Sequence, residues 1–313
     1  MNRELYKRQD HSQGKVIGKM RERWQLYVLL LPALLYIALF AYKPMYGVLI
    51  AFQRYSLMGG VLGSRWIGVN NFVRLFSSYW FPIILRNTIT ISLLSIVLGF
   101  PFPIILALFI NEMKHPRIKR VFQTVSYAPY FISTVVMCGM LLLFLNPDYG
   151  IVNMLLGLLG LDTVSFMTKP DLFKWVYVLS GVWQGAGWGA IIYLAALAGV
   201  DLSLTEAATI DGATRIQKIL NINLPAIMPT IIILFILRCG SLLSVGYEKV
   251  YLLQNSFNLS SSEVISTYVY KIGLINHDFG FSTATGLFNS LVNSAILISV
   301  NAISRKVGET RLW

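Results

Sequence analysis

The chain has 313 residues, of which 56% are hydrophobic and 13% charged, and its formal net charge is +12. A soluble domain carries about 25% charged and about 45–50% apolar residues, so this balance, with a mean hydropathy of +0.63, excludes a disordered chain, a coiled coil and an ordinary soluble enzyme. The solvent is mostly lipid, and the excess of 26 Lys and Arg over 14 Asp and Glu needs an explanation in that setting before a nucleic-acid footprint is invoked.

A bilayer core about 30 Å thick demands roughly 20 apolar residues from a spanning helix. A basic segment, residues 1–23, comes first. Uncharged windows follow at 24–42, 87–111, 121–147, 175–200, 219–237 and 279–304. The fifth is interrupted by Arg238 and resumes from Cys239 to about Gly246. These windows predict an all-α, polytopic membrane protein. Its six transmembrane helices occupy a domain over 24–304, closed by a tail over 305–313. The first window exceeds the apolar run of about 7–15 residues found in a signal peptide and no small-residue cleavage site follows it, so it reads as a retained helix. Pro101 and Pro103 predict a kink or local end in the second helix. Residues 149–161 are too short to cross upright and predict an exterior amphipathic helix or a re-entrant piece. Cys138 and Cys239 fall within spans and read as small apolar packing residues.

Orientation follows from Lys and Arg. The side of the N-terminus holds 16 of them, in residues 1–23, 112–120, 201–218 and 305–313. The opposite side holds 8, in residues 44–86, 146–174 and 247–278. Both termini are therefore predicted to be cytoplasmic. The cytoplasmic side nets +8, against +2 outside, so most of the charge is a topology signal.

No Asp or Glu lies within the six windows, which lowers the standing of an ion-coupled secondary transporter. The sequence has no HExxH, no paired-cysteine motif and no GxxxxGK[ST], so no metal ligands and no ATP site can be pointed to. If ATP drives this protein, another chain binds it.

Residues 201–229 are too polar to span. Ser203-x-x-Glu206 fits a capping box, predicting a short helix from Ser203 through Glu206-Ala207-Ala208. Gly212 suits a turn. Ile216, Ile219 and Leu220 share one face of a second helical stretch, and Pro225 fits the first turn of the fifth span. On physical grounds the segment is either a helical hairpin lying on the membrane or a helix docked in a partner's groove.

Glu206-Ala207-Ala208, three residues, Gly212, nine residues and Ile222-x-Leu224-Pro225 resemble the EAA motif of binding-protein-dependent ABC importer permeases. The resemblance implies a type I importer permease architecture and a coupling helix in a groove of a cytoplasmic ATPase. Glu206 would make polar contacts there, Ala207 and Ala208 would permit close approach, and Gly212 would allow the turn. Asp211, Ile222, Leu224 and Pro225 complete the implied coupling set. Leu30-Leu31-Pro32-Ala33 and Trp66-Ile67-Gly68-Val69-Asn70-Asn71-Phe72 look like sugar-type permeases. Pro44-Met45-Tyr46-Gly47, Tyr127-Ala128-Pro129, the stretches 248–255 and 263–270, and the closing residues 309–313 look like the LplB-type polysaccharide and oligosaccharide branch. The resemblance further implies a second homologous permease, two ATPase subunits carrying ATP and Mg, an extracytoplasmic solute-binding protein and an oligosaccharide cargo. It places the chain in the cytoplasmic membrane of a prokaryote, with no cofactor, catalytic residue or nucleic acid of its own.

Within the membrane, Arg238 is the sharpest anomaly, since an arginine at a helix centre costs about 2.5–3.5 kcal/mol. It reads as a substrate-path or gating residue, or as a structural tie. Gly181, Gly185 and Gly189, spaced by four, predict a close-packed face. Trp183, Gln184 and Trp188 lie among them, either as packing residues or as a platform and hydrogen-bonding group for a sugar. A stand-alone channel or secondary transporter, a permease for a non-sugar solute, and a membrane enzyme acting on lipid-linked sugar are the competing readings. The first leaves the filled EAA pattern unexplained. The last has exterior carboxylates but no spacing that assembles them.

Overall fold

The structure, a computed structural model, describes residues 23–307. Most of the basic segment 1–23 and the 309–313 match therefore lie outside the described residues.

The chain is helical almost throughout. It contains α1 (Trp24–Ile37), α2 (Asn70–Phe76), α3 (Trp80–Gly99), α4 (Pro101–Asn111), α5 (Pro116–Tyr127), α6 (Thr134–Phe144) and α7 (Ile151–Leu158). Next come α8 (Pro170–Leu197), α9 (Leu202–Ile210), α10 (Arg215–Lys218), α11 (Leu224–Cys239), α12 (Tyr247–Leu253), α13 (Ile265–Tyr270) and α14 (Phe279–Val307). Between α1 and α2 a two-stranded antiparallel ribbon pairs β1 (Gln53–Arg54) with β2 (Arg65–Trp66).

Among the described residues four continuous helical stretches are long and apolar enough to cross a membrane: Trp24–Phe52, Trp80–Asn111, Arg215–Cys239 and Phe279–Lys306. The third and fourth expected spans belong instead to bent pairs. Pro116–Phe131 and Thr134–Phe144 meet at 96°, and Pro170–Leu197 and Leu202–Ile210 at 81°. The window 121–147 is therefore not one helix. Pro129 lacks a backbone donor, the Ser133 side chain caps α6 by accepting from the Val136 N–H at 3.3 Å, and Gln184 Nε2 donates to the Ile132 carbonyl at 2.8 Å. The backbone groups freed by the break are thereby satisfied, as a break in an apolar setting requires. In the second span α3 passes into α4 through Phe100, whose backbone stays helical at φ −77° and ψ −43°, so the expected local end at Pro101 and Pro103 is a lapse in hydrogen bonding within one continuous stretch.

Two prolines within spans sit just after π-helical segments, Ala38–Tyr42 before Pro44 and Ile219–Asn223 before Pro225. A π turn shifts the hydrogen-bond register, so a missing N–H is accommodated without ending the rod. Residues 149–161 contain the short helix α7.

The core is strung along α8, about 42 Å long at 1.5 Å per residue. Near its start Phe173 and Val178 pack with Ile91, Met137, Cys138, Val250, Leu253 and Val264. Toward its end Ala190, Tyr193 and Leu197 pack with Ile104, Ala107, Leu108 and Ile227. Cys138 is a core residue, as expected of a small apolar side chain. At the crossing of α5 and α8, a Cβ on Gly187 would collide with the Ser126 carbonyl oxygen.

Coupling loop and polar cleft

The segment after α8 is built from reciprocal caps. Asp201, not Ser203, starts α9: its carboxylate accepts from the Ser203 N–H at 2.9 Å. That backbone hydrogen bond holds the Asp201 carboxyl below the usual carboxylate range. The aspartate presents two acceptor oxygens two residues earlier than the serine, so the helix begins at Leu202. At the far end Gly212 adopts φ +77°. The Ala213 N–H reaches the Ala208 carbonyl at 2.9 Å and the Gly212 N–H that of Thr209 at 3.2 Å, the paired bonds of a Schellman closure. Thr214 and Gln217 then form a capping box that starts α10, and Lys218 Nζ donates to Thr209 Oγ1 at 3.2 Å, tying the two helices. That box is legible in the sequence as Thr-x-x-Gln, the same pattern type as Ser203-x-x-Glu206.

The implied coupling set divides in two. Glu206, Ala207, Asp211 and Gly212 are exposed and Ala208 is half-buried on a helix with no buried residue. Around them Leu202, Leu204 and Ile210 are also exposed. Ile222 and Leu224 are half-buried, with Leu224 packed on the α8 core cluster, and Pro225 begins α11. Between them Asn223 is buried and donates to Glu112 Oε1 at 3.2 Å. One half presents a face, and the other anchors it to the transmembrane core.

Inside the bundle a cleft of about 540 Å³, apolar over most of its wall but bearing a few polar groups and hereafter the polar cleft, runs between α3–α4, α8 and α11. It is lined by Ser95, Tyr177, Gln184, Arg238 and Lys249, with Gly181, Gly185 and Gly189 along one wall. The glycine stripe is close-packed at its two ends and open at its middle. A Cβ on Gly181 would lie 3.3 Å from Lys249 Nζ and one on Gly189 3.1 Å from Pro103 of α4, whereas Gly185 has nothing within 4 Å of a Cβ position. Lys249 Nζ donates to the Tyr177 carbonyl at 2.7 Å and lies 4.5 Å above the Tyr177 ring.

Arg238 is not at a helix centre. α11 ends at Cys239, and turns over 240–246 replace the expected continuation. Its exposed side chain borders both this cleft and a smaller one, about 130 Å³, lined by Ser92, Ser95, Ser241 and Ser244. The helix dipole favours a cation in that last turn.

Gln184 shares the polar cleft, but its Nε2 is committed to the Ile132 carbonyl. Trp183 lines an apolar groove with Met137, Phe144 and Trp175. Trp188 stacks on Tyr130 at 4.5 Å and 3°. The structure thus brings Gln184 and Arg238 together and places both tryptophans elsewhere. Tyr177 and Ser95, which also line the cleft, carry no sequence signal beyond being polar in apolar runs.

The profile described as "Binding-protein-dependent transport system inner membrane component" matches residues 99–309. The chain is 39% identical over 299 residues to the polygalacturonan/rhamnogalacturonan transport system permease protein YteP of Bacillus subtilis (strain 168), covering 96% of this chain and 93% of that one. It is 42% identical over 304 residues to protein LplB of the same organism, covering 96% and 95%. Among solved structures it matches a bacterial ABC transporter involved in the import of the acidic polysaccharide alginate, with TM-score 0.86 and 40% identity over 94% of this chain and 99% of that one. A second structure, of the bacterial alginate ABC transporter in complex with alginate pentasaccharide-bound periplasmic protein, matches with TM-score 0.87 and 40% identity, again over 94% and 99%. The capped polar loop, the bent helix pairs and these matches agree: the chain belongs to the binding-protein-dependent transport system inner membrane component family, as a polytopic permease of the sugar-importing ABC type.

Proposed function

We propose that this permease forms half of the translocation pathway of an ATP-driven importer of acidic oligosaccharides. It pairs with a second homologous permease, binds two ATPase subunits that carry ATP and Mg, and receives cargo from an extracytoplasmic binding protein. The carrying observation is α9, an exposed helix turned 81° against α8 that presents Glu206 beside uncovered Leu202, Leu204 and Ile210. A short helix with both an acid and apolar residues uncovered suits a groove on a partner. The chain does no covalent chemistry. ATPase closure displaces α9, the Asn223–Glu112 contact and the Leu224 anchor pass that displacement to the core around α8, and the two permeases alternate between outward- and inward-facing arrangements.

The acidic cargo is supported by the two cations bordering the polar cleft, Arg238 and Lys249, with no carboxylate among its lining residues. The substrates of the relatives, polygalacturonan/rhamnogalacturonan and the acidic polysaccharide alginate, point the same way. A guanidinium pairs with a carboxylate in a two-bond fork.

Glu206→Lys inverts the one acid of α9 without touching a buried contact. Reconstituted with its partners, the variant is expected to lose ATP-driven uptake, through either lost ATPase co-purification or uncoupled hydrolysis. Normal uptake by this variant removes α9 as the coupling element.

A further inference from the structure

A second basic cleft, of about 600 Å³, lies at the opposite end of the bundle from α9, where the β1–β2 ribbon meets α2 and the start of α14. Three arginines line it: Arg54, Arg65 and Arg74. The one carboxylate in its lining, Asp278, is already engaged, its Oδ2 lying 2.9 Å from Arg74 Nη2 and its Oδ1 accepting from the Phe281 N–H at 3.1 Å. Arg54 and Arg65 are exposed and form no salt bridge among the described residues.

These two arginines are direct cross-strand partners in the ribbon. Like charges directly opposite in an antiparallel pair destabilise it, yet this ribbon has only two residue pairs and holds one such clash. Its geometry is fixed by other means. Asn71 Nδ2 donates to the carbonyls of Ala51 and Gln53 at 2.9 and 3.1 Å, Gln53 Nε2 donates to the Val61 carbonyl at 2.9 Å, and Trp66 stacks on Phe52 at 5.7 Å. Beside the arginines His277 is held at φ +59°, a conformation uncommon outside glycine. The cleft is thus a rigid cradle in which two adjacent guanidinium groups lack an anion.

We propose that this cleft is an extracytoplasmic anion site that takes the carboxylate of a uronate residue of the cargo, with Arg54 and Arg65 as the binding pair. The inference rests on the acidic-oligosaccharide reading above. A saccharide is favoured over an acidic protein face because the cleft is concave and falls in the range of about 300–1,000 Å³ of small-ligand sites. Protein docking demands broad surface of about 1,000 Å² or more. Tyr55, Asn70 and His277 add hydrogen-bonding groups to the same wall, matching sugar hydroxyls.

The test is calorimetric titration of trigalacturonate into the assembled transporter in nanodiscs without binding protein, with fully methyl-esterified trigalacturonate as the uncharged control. Salt-sensitive binding of the acid is expected, weakened about tenfold or more by esterification and by Arg54→Gln with Arg65→Gln, the loss that removing charge-assisted hydrogen bonds entails. Arg54→Lys with Arg65→Lys, which keeps the charge and removes the fork, is expected to bind with intermediate affinity. Equal affinity of the wild type and the Gln pair overturns the proposal. So does an effect of the Gln pair on capture of the binding protein alone, which makes the cleft a docking surface. Uptake of trigalacturonate separates the two levels. Import that is indifferent to Arg54 and Arg65 but needs Arg238 sinks this cleft and keeps the cargo reading, whereas absent binding and absent import in the wild type sink both.

Discussion

Arg238 closes the last turn of α11, with the polar cleft on one side and the serine-lined one on the other. A cation there gains from the carbonyl end of the helix and from nearby hydroxyl groups, so its presence costs less than an arginine facing lipid. Its value to transport is the charge it offers to a passing carboxylate. Arg238→Gln keeps a polar side chain of similar reach and is expected to leave assembly with the ATPase intact while lowering uptake of acidic oligosaccharide about tenfold, the loss of one charge-assisted hydrogen bond. Co-purification of the subunits and initial uptake rates measure the two effects separately, and loss of the assembled complex identifies a structural tie instead. That a lone arginine interrupts an apolar run is plain in the sequence. Where the helix stops is not, because residues 239–246 remain uncharged and only the turns at Ser241–Ser244 end it.

At the scale of elements, the crossing of α5 and α8 determines where the third expected span breaks. The α8 backbone at Gly187 meets the Ser126 carbonyl so closely that no Cβ fits, and Gln184, less than one turn away, supplies the hydrogen bond that the Ile132 carbonyl lacks. Gly187→Ala forces the two helices apart and is expected to cost about 1–3 kcal/mol, the range for overpacking. Thermal unfolding of the assembled transporter in detergent measures it, and an unchanged midpoint rules out the close approach. The break escaped the sequence because residues 121–147 are uniformly uncharged, and hydropathy registers polarity, not direction. α6 spans only about 16 Å at 1.5 Å per residue, half a bilayer core, yet nothing in its composition sets it apart from a full span. The coupling loop was legible for the opposite reason. Its polar residues contrast with the apolar chain around it, and Gly212 and Pro225 sit where backbone geometry requires them. Even there the cap moved from Ser203 to Asp201, since either side chain can accept from the N–H two or three residues on and spacing does not decide which of them starts the helix.

For the whole molecule, the two faces carry different chemistry. One end bears α9, with its acid and apolar residues uncovered; the other bears the arginine ribbon. The excess of Lys and Arg on the side of the N-terminus predicts that α9 faces the cytoplasm and the ribbon the exterior. Because the one long apolar helical stretch Arg215–Cys239 separates α9 from residues 240–278, which lead into α14, the two features lie on opposite sides of that span in any orientation. The orientation is therefore a single binary quantity, on which coupling and cargo entry both depend. Cysteine labelling reads it. With Cys138 and Cys239 replaced by alanine, Ser56→Cys in the exposed ribbon loop and Ser203→Cys at the exposed start of α9 are treated with a membrane-impermeant maleimide. Ser56→Cys is expected to react in intact cells, and Ser203→Cys only after permeabilisation. The reverse pattern inverts the chain, leaving α9 facing away from any cytoplasmic ATPase and the arginine ribbon away from incoming cargo, and neither proposed site would then have access to its partner.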